Sequence, residues 1–301
     1  MIQKLGVSPT DRLVIINADD FGVTHSTNQA IMQMFQSHAI TSTSIMIPGA
    51  AAREAALLST KAHSMNVGIH ITLTSQKSRY YKPIDGQKKF SSLTNEQGDF
   101  YDKVSDFEKK ADPDEVRAEV EAQIQMAISL GIEPTHLDSH EGSILGLYHH
   151  RDFLEVIFDL CRKYALPFCL PIRILEHPSF SPEQKQLFKE RIRLANQLGI
   201  QLIDDLAGLP YHLSSGEGYE EAKAELIKQI HHLKPGITQI TTHPAFISDE
   251  LKELTEHYEK REMEYQLYND PEVRKLIESL DIKLTSWKVI RDLQRGKLSN
   301  F

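Results

Sequence analysis

Leu13-Val14-Ile15-Ile16-Asn17-Ala18-Asp19-Asp20, Val67-Gly68-Ile69-His70-Ile71 and Pro134-Thr135-His136-Leu137-Asp138-Ser139-His140 decide how this chain folds. Each contains a short apolar run that reads as a β-strand, and each ends in carboxylates or imidazoles. Barrels of parallel strands gather such side chains at their strand ends, over the mouth, where they can hold a divalent metal. One such cluster says little. Three in the same structural position say much more.

Working outward, apolar runs alternate with helical patterns along the chain. Strands are expected at about 12–18, 42–47, 66–72, 134–139, 167–173, 200–204, 236–242 and 282–286. Helices are expected at about 25–38, 51–60, 113–131, 151–165, 182–198, 219–233 and 270–280. The clearest is Asp114 to Leu130, where Val116, Val120, Ile124 and Ala127 recur at helical spacing, with Pro113 near the start and Gly131 at the stop. This alternation predicts an α/β fold with a parallel sheet, and its length fits one (β/α) barrel-like domain over 1–301. An open, doubly wound sheet is the alternative, but no G-x-G-x-x-G follows the first strand. One long irregular segment, about 75–113, follows the His70 strand. We expect it to form a lid or a wall over the mouth.

The chain carries 42 Asp and Glu against 34 Lys and Arg, a formal charge of −8 over 301 residues. That balance argues against nucleic acid or an anionic membrane as partner. No apolar run approaches a membrane span, and the start shows no secretory signal. The two cysteines, Cys161 and Cys169, read as reduced thiols. A cytoplasmic location is the expectation.

Neighbouring side chains on a strand face opposite ways, so Asp19 and Asp20 can share a pocket only where the strand turns, with Gly22 as the expected turning point. A helix cap or turn is the alternative role for such aspartates. His70 reads either as a ligand or as a hydrogen-bonded core residue. The period of two puts His136, Asp138 and His140 on one face. Asp138 could hold the second nitrogen of a ligating imidazole, or orient a catalytic histidine. His243 stands where a general acid could reach the mouth, and Arg173 is the matching cation.

Together Ile16-Asn17-Ala18-Asp19-Asp20-Phe21-Gly22, Thr41-Ser42-Thr43, Gly68-Ile69-His70-Ile71-Thr72-Leu73-Thr74, Pro134 to His140 and His243-Pro244-Ala245-Phe246 resemble the YdjC/ChbG family of carbohydrate deacetylases. Leu284-Thr285-Ser286-Trp287 fits the family's end loosely. The resemblance implies a TIM-barrel-related fold that removes acetyl groups from N-acetylated sugars such as chitooligosaccharides. It implies one divalent metal on Asp20, His70 and His140, with Asp19 as general base and His243 as general acid. Arg173 would be an orienting group, with His136 and Asp138 in support. Two nitrogens and a carboxylate suit Zn2+, while Mg2+, Mn2+, Co2+ and Ni2+ stay open. The expected partner is an acetylated mono- or oligosaccharide, and a homodimer is compatible. Where family members often continue with further histidines, Glu141-Gly142-Ser143 follows His140 here.

Three other readings compete. A phosphoesterase often needs two metals. A sugar isomerase on this barrel needs more acidic ligands, for which Asp204-Asp205 is the obvious supply. A non-catalytic sugar-binding protein would not need the intact cluster.

Overall fold

The computed structural model of the protein describes residues 5–62, 65–76, 78–86 and 90–297. The ends of the expected 1–301 span, and positions 77 and 87–89 of the 75–113 segment, lie outside the described residues. Strands β1 (Arg12–Phe21), β2 (Ser42–Ile45), β3 (Val67–Ile71), β4 (Leu137–Ser139), β5 (Asp205–Gly208), β6 (Gly236–Thr242) and β7 (Ile282–Leu284) form one parallel sheet. Its order is β4-β3-β2-β1-β6-β5. One edge of β1 takes β6, and the other is shared between β7 at Arg12–Val14 and β2 at Asn17–Phe21. Single bridges, Leu137 to Phe168 and Pro171 to Ile203, carry the pairing from β4 towards β5. The sheet thereby curls into the expected barrel-like ring.

Helices α1 (His25–Gln36), α2 (Ala52–Ala62), α3 (Val104–Lys110), α4 (Pro113–Ser129), α5 (Leu154–Tyr164), α6 (Pro182–Gln197), α7 (Tyr219–His231), α8 (Asp249–Leu254), α9 (Tyr258–Asn269), α10 (Pro271–Ser279) and α11 (Trp287–Gln294) connect and follow the strands. Helix α4 buries Val116, Val120, Ile124 and Ala127, as its periodicity predicts. Asp112 caps it by accepting the Asp114 and Glu115 N–H groups. No helix among the described residues is long and apolar enough to cross a membrane.

Alternate residues of β1 face the same way. Leu13 and Ile15 join Ile203, Ile237 and Trp287 in a small apolar cluster. The next residues in that alternation, Asn17 and Asp19, are polar and lead up to the site. The Trp287 ring is fully buried. Its Nε1 donates to Gln239 Oε1 at 2.7 Å, and its ring stacks on His136 at 4.6 Å. Gly68 makes room for this stack, because a Cβ there would lie 2.2 Å from the His136 ring.

The elements depart from expectation in identifiable places. The 167–173 strand is reduced to bridges at Phe168 and Pro171, then a 3₁₀ turn at Ile172–Glu176. Pro167 and Pro171 donate no ladder hydrogen bonds, which explains the break. The expected 200–204 strand lies later, at Asp205–Gly208. Helices α3, α8, α9 and α11 were not expected. The 75–113 segment buries Phe90, Leu93, Phe100 and Phe107, so much of it is packed structure.

Glu119 of α4 is fully buried and accepts the Ile84 N–H at 3.1 Å and Gln123 Nε2 at 2.9 Å. Burial pushes its carboxyl up to about 7, against the pull of those hydrogen bonds. A folded-state value above the unfolded one favours the protonated acid. Its contribution is therefore fully present below pH 4.5 and falls as pH rises towards 7. Glu119→Gln should flatten this part of the stability–pH curve, a difference on the order of 3 kcal/mol, read by urea unfolding at pH 5 and pH 8.

Candidate active site

The site forms where β1 ends. Register between β1 and β2 slips from Ala18–Thr43 to Phe21–Ile45, so β1 carries one extra residue there. Asp20 absorbs the bulge in a left-handed conformation, φ 64°, which aspartate tolerates better than most residues. The turn that lets both aspartates serve one pocket thus begins at Asp20, two residues before the expected Gly22.

Asp20 Oδ1 lies 3.5 Å from His70 Nε2 and 3.6 Å from His140 Nδ1. One donor atom from each of these three residues lies within 4.8 Å of the others, and all three residues are buried. Asp20 Oδ1 and His140 Nε2 have no hydrogen-bond partner among the described residues. Buried polar atoms left without partners are costly, so this arrangement calls for a ligand. The expected strand face is shorter than its sequence suggests: His140 opens a 3₁₀ turn after β4, yet still points into the cluster.

His70 is held from behind. Asp138 Oδ1 meets its Nδ1 at 2.9 Å, leaving Nε2 towards Asp20 and Asp19. Burial alone would push the His70 imidazole down, but Asp138, Asp19 and Asp20 outweigh it and hold it up at about 10. Burial would likewise raise Asp138, yet the His70 charge and hydrogen bonds from both histidines keep it below the usual carboxylate range. Three acids around one imidazole want positive charge, so the donor set fits a divalent cation. Asp138→Asn should weaken divalent-metal affinity roughly 10–100-fold, measured by calorimetric titration of chelator-stripped protein.

His136 stands one step further in. Its Nδ1 is 3.0 Å from Thr135 Oγ1, its Nε2 is 3.5 Å from Asp138 Oδ2, and burial pushes its imidazole down against the pull of Asp138.

Asp19 Oδ1 accepts from Asn17 Nδ2 at 2.7 Å. Its Oδ2 lies 3.9 Å from both His70 Nε2 and His243 Nε2, so it stands between two imidazoles. Burial, chiefly, raises Asp19 to about 8, with the His70 charge opposing. Burial also pushes His243 down to about 3, so this residue is neutral at pH 7.

The most informative residue of the site was missed in the sequence. Arg261, on α9, is almost fully buried and donates to Asp20 Oδ2 at 2.7 Å and to the Tyr211 hydroxyl at 2.8 Å. Burial would raise the Asp20 carboxyl, but Arg261, helped by His140 and His243, holds it well below its ordinary value. One turn on, Glu264 accepts from the His243 N–H at 2.5 Å and the Thr242 hydroxyl at 2.7 Å. Helix α9 therefore braces the ends of β1 and β6 together.

Arg173 borders a cavity that Asp19 and His243 also line, while its polar contacts go to other groups. Its guanidinium lies 3.4 Å from Asp205 and donates to the Pro235 carbonyl at 2.6 Å. The turn after Pro171 places it on the rim, and the cation at the cluster is Arg261. Asp204 accepts the Ile237 N–H at 2.8 Å, so neither Asp204 nor Asp205 joins the cluster as an isomerase would need.

The cluster opens on a cavity of about 600 Å³ whose walls include Gln76, Asp102–Ser105 and Tyr148. A second, more apolar cavity of about 570 Å³ meets it at Asp19, Ser139, Glu141, Tyr211 and His243. Residues of the 75–113 segment thus form part of the wall. Glu141, in left-handed backbone at φ 53°, accepts from Thr74 Oγ1 at 2.9 Å and borders both cavities.

A buried carboxylate–imidazole cluster at the carboxyl ends of parallel strands, facing a cavity, stands where barrel-type α/β enzymes place their active centres. A family model described as YdjC-like protein matches residues 13–279, and the chain belongs to that family. A carbohydrate deacetylase from Thermoanaerobacter pseudethanolicus is 30% identical over 280 residues, covering 93% of this chain and all of the relative. One from Enterococcus faecalis is 28% identical, covering 93% of this chain and 98% of its own. A crystal structure from Enterococcus faecalis, provisionally named a cellobiose-phosphate cleavage protein, superposes with a TM-score of 0.74 at 27% identity. It covers 93% of this chain and 99% of its own.

Proposed function

We propose that this protein is a metal-dependent hydrolase that removes the acetyl group from an N-acetylated sugar. The observation that carries the reading is the convergence of Asp20, His70 and His140, with Asp19 and His243 beside them at the cavity floor. Relatives named carbohydrate deacetylase support the reaction class.

Asp20, His70 and His140 would hold the ion, Zn2+ or Mg2+ foremost. A divalent ion in such a set supplies Lewis acidity for an acetyl carbonyl and a more acidic water. The remaining chemistry belongs to the chain. Asp19 takes a proton from the attacking water once it is ionised, a form that burial opposes and that a cation held by the neighbouring Asp20, His70 and His140 would favour. His243 Nε2 lies 3.9 Å from Asp19 Oδ2, beyond a direct hydrogen bond, so the proton would pass between them through a bridging water or the substrate. His243 starts neutral, gains the proton, and delivers it to the departing sugar amine. Water and amide thus become acetic acid and amine, which part as acetate and ammonium, with protons balanced. Arg261 keeps Asp20 ionised and aims its free oxygen inwards. Both cysteines are free thiols, which supports the cytoplasmic setting.

The two possible donor groups share His70, and Asp138 engages the other nitrogen of that ring. This favours one ion with a supporting carboxylate over the pair that a phosphoesterase often uses. The test is acetate release from N,N′-diacetylchitobiose by protein stripped with chelator and reloaded with single metals. Metal-dependent acetate with one ion per chain supports the reading. No acetate from any acetylated sugar with any metal overturns it.

A further inference from the structure

The loop that follows the cluster carries an exposed aromatic ring on an unusually well-fixed backbone. Tyr148 is 62% exposed and lines the same cavity as His140 and Asp20. Its N–H donates to the Glu108 carboxylate at 3.1 Å, and the His149 N–H donates to the same group at 2.7 Å. Glu108 itself is fully buried, and it lies on α3 in the 75–113 segment. Arg151 ties the loop back to that helix, donating to the Glu108 and Ala111 carbonyls. From the other side, Gln184 on α6 donates to the Leu147 carbonyl at 3.0 Å. Two distant elements thus hold the backbone on either side of one solvent-facing ring.

None of these contacts serves the proton transfers. A buried carboxylate spent on fixing two exposed backbone positions fits a need to present what they carry. A phenol ring offers a flat, amphipathic face at low conformational cost. Pyranose rings have an apolar face of axial C–H bonds and a polar edge, which such a ring matches. A cavity of about 600 Å³ also lies in the range that encloses ligands larger than one sugar. We propose that Tyr148 is a specificity-determining platform on which the pyranose next to the acetylated residue stacks. This rests on the deacetylase reading above.

The test compares wild type, Tyr148→Ala and Tyr148→Phe in metal-loaded protein, with N-acetylglucosamine and N,N′-diacetylchitobiose as substrates. Tyr148→Ala should lower kcat/KM on the disaccharide roughly tenfold, while the monosaccharide value stays within about twofold. Tyr148→Phe should behave as wild type, since the ring and not the hydroxyl is the contact. Equal loss on both substrates, or loss on neither, overturns the proposal. Calorimetric binding of the disaccharide separates the two ideas if wild type releases no acetate. Weaker binding by Tyr148→Ala would then keep the platform and discard the reaction, and unchanged binding would discard the platform.

Discussion

Asp20→Asn should abolish metal retention and lower turnover by at least about 1,000-fold, with acetate release and metal content of the purified protein as the readouts. Two effects act together. The amide removes the negative charge that faces His70 Nε2 and His140 Nδ1. It also leaves the buried Arg261 guanidinium facing a neutral group. Breaking a buried pair from one side costs about 3–5 kcal/mol, because the surviving charge is stranded away from water. The variant should therefore be less stable as well as inactive. An Asp20→Asn protein that keeps its metal and its full rate would remove Asp20 from the ligand set.

Arg261→Met should produce the second large effect, a loss of about 3–5 kcal/mol in urea unfolding of metal-free protein. Here the stranded charge is Asp20. Methionine fills comparable apolar volume, so the cost comes from the charge rather than from a cavity. Because both substitutions strand one half of the same pair, combining them should cost clearly less than the sum of the two. Additive losses would mean that the 2.7 Å contact does not stabilise the fold.

These two residues also mark the limit of what the sequence makes legible. Asp20, His70 and His140 are visible because each follows an apolar run, and strand ends gather at one rim. Arg261 is invisible by the same logic. Helix α9 reads Tyr-Glu-Lys-Arg-Glu-Met-Glu-Tyr-Gln-Leu-Tyr-Asn, and its buried positions include Lys260, Arg261 and Glu264. A helix that buries charge against charge has no apolar stripe to find. Its only local hint is an arginine three residues before a glutamate, which is commonplace on exposed helices.

Arg173 shows the opposite case. It follows Leu170-Pro171-Ile172 and lines a cavity, but a long side chain on a turn can reach several partners, and Asp205 and Pro235 take it. The barrel itself was legible from the alternation of elements. Its boundaries near Pro167, Pro171 and Asp205 are not, because apolar run and ladder do not coincide there: Phe168 and Pro171 keep single bridges, and the β5 ladder starts after the Ile200–Ile203 run. The Asp20 bulge lay beyond reach too, since nothing but backbone geometry distinguishes it from an ordinary strand end.

The way β1 is shared between partners has a temporal side. Arg12 lies opposite Gly236 on one edge and Ile282 on the other. β1 precedes both partners in the chain and is thus among the last of these strands to be fully paired. Trp287, which closes the interior beneath His136, emerges later still. Contacts so distant along the chain form slowly, and until they form the edges of β1 stay open. Asp19 and Asp20 therefore spend synthesis as ordinary solvated acids. Only when β7 and Trp287 dock is the buried setting around them complete.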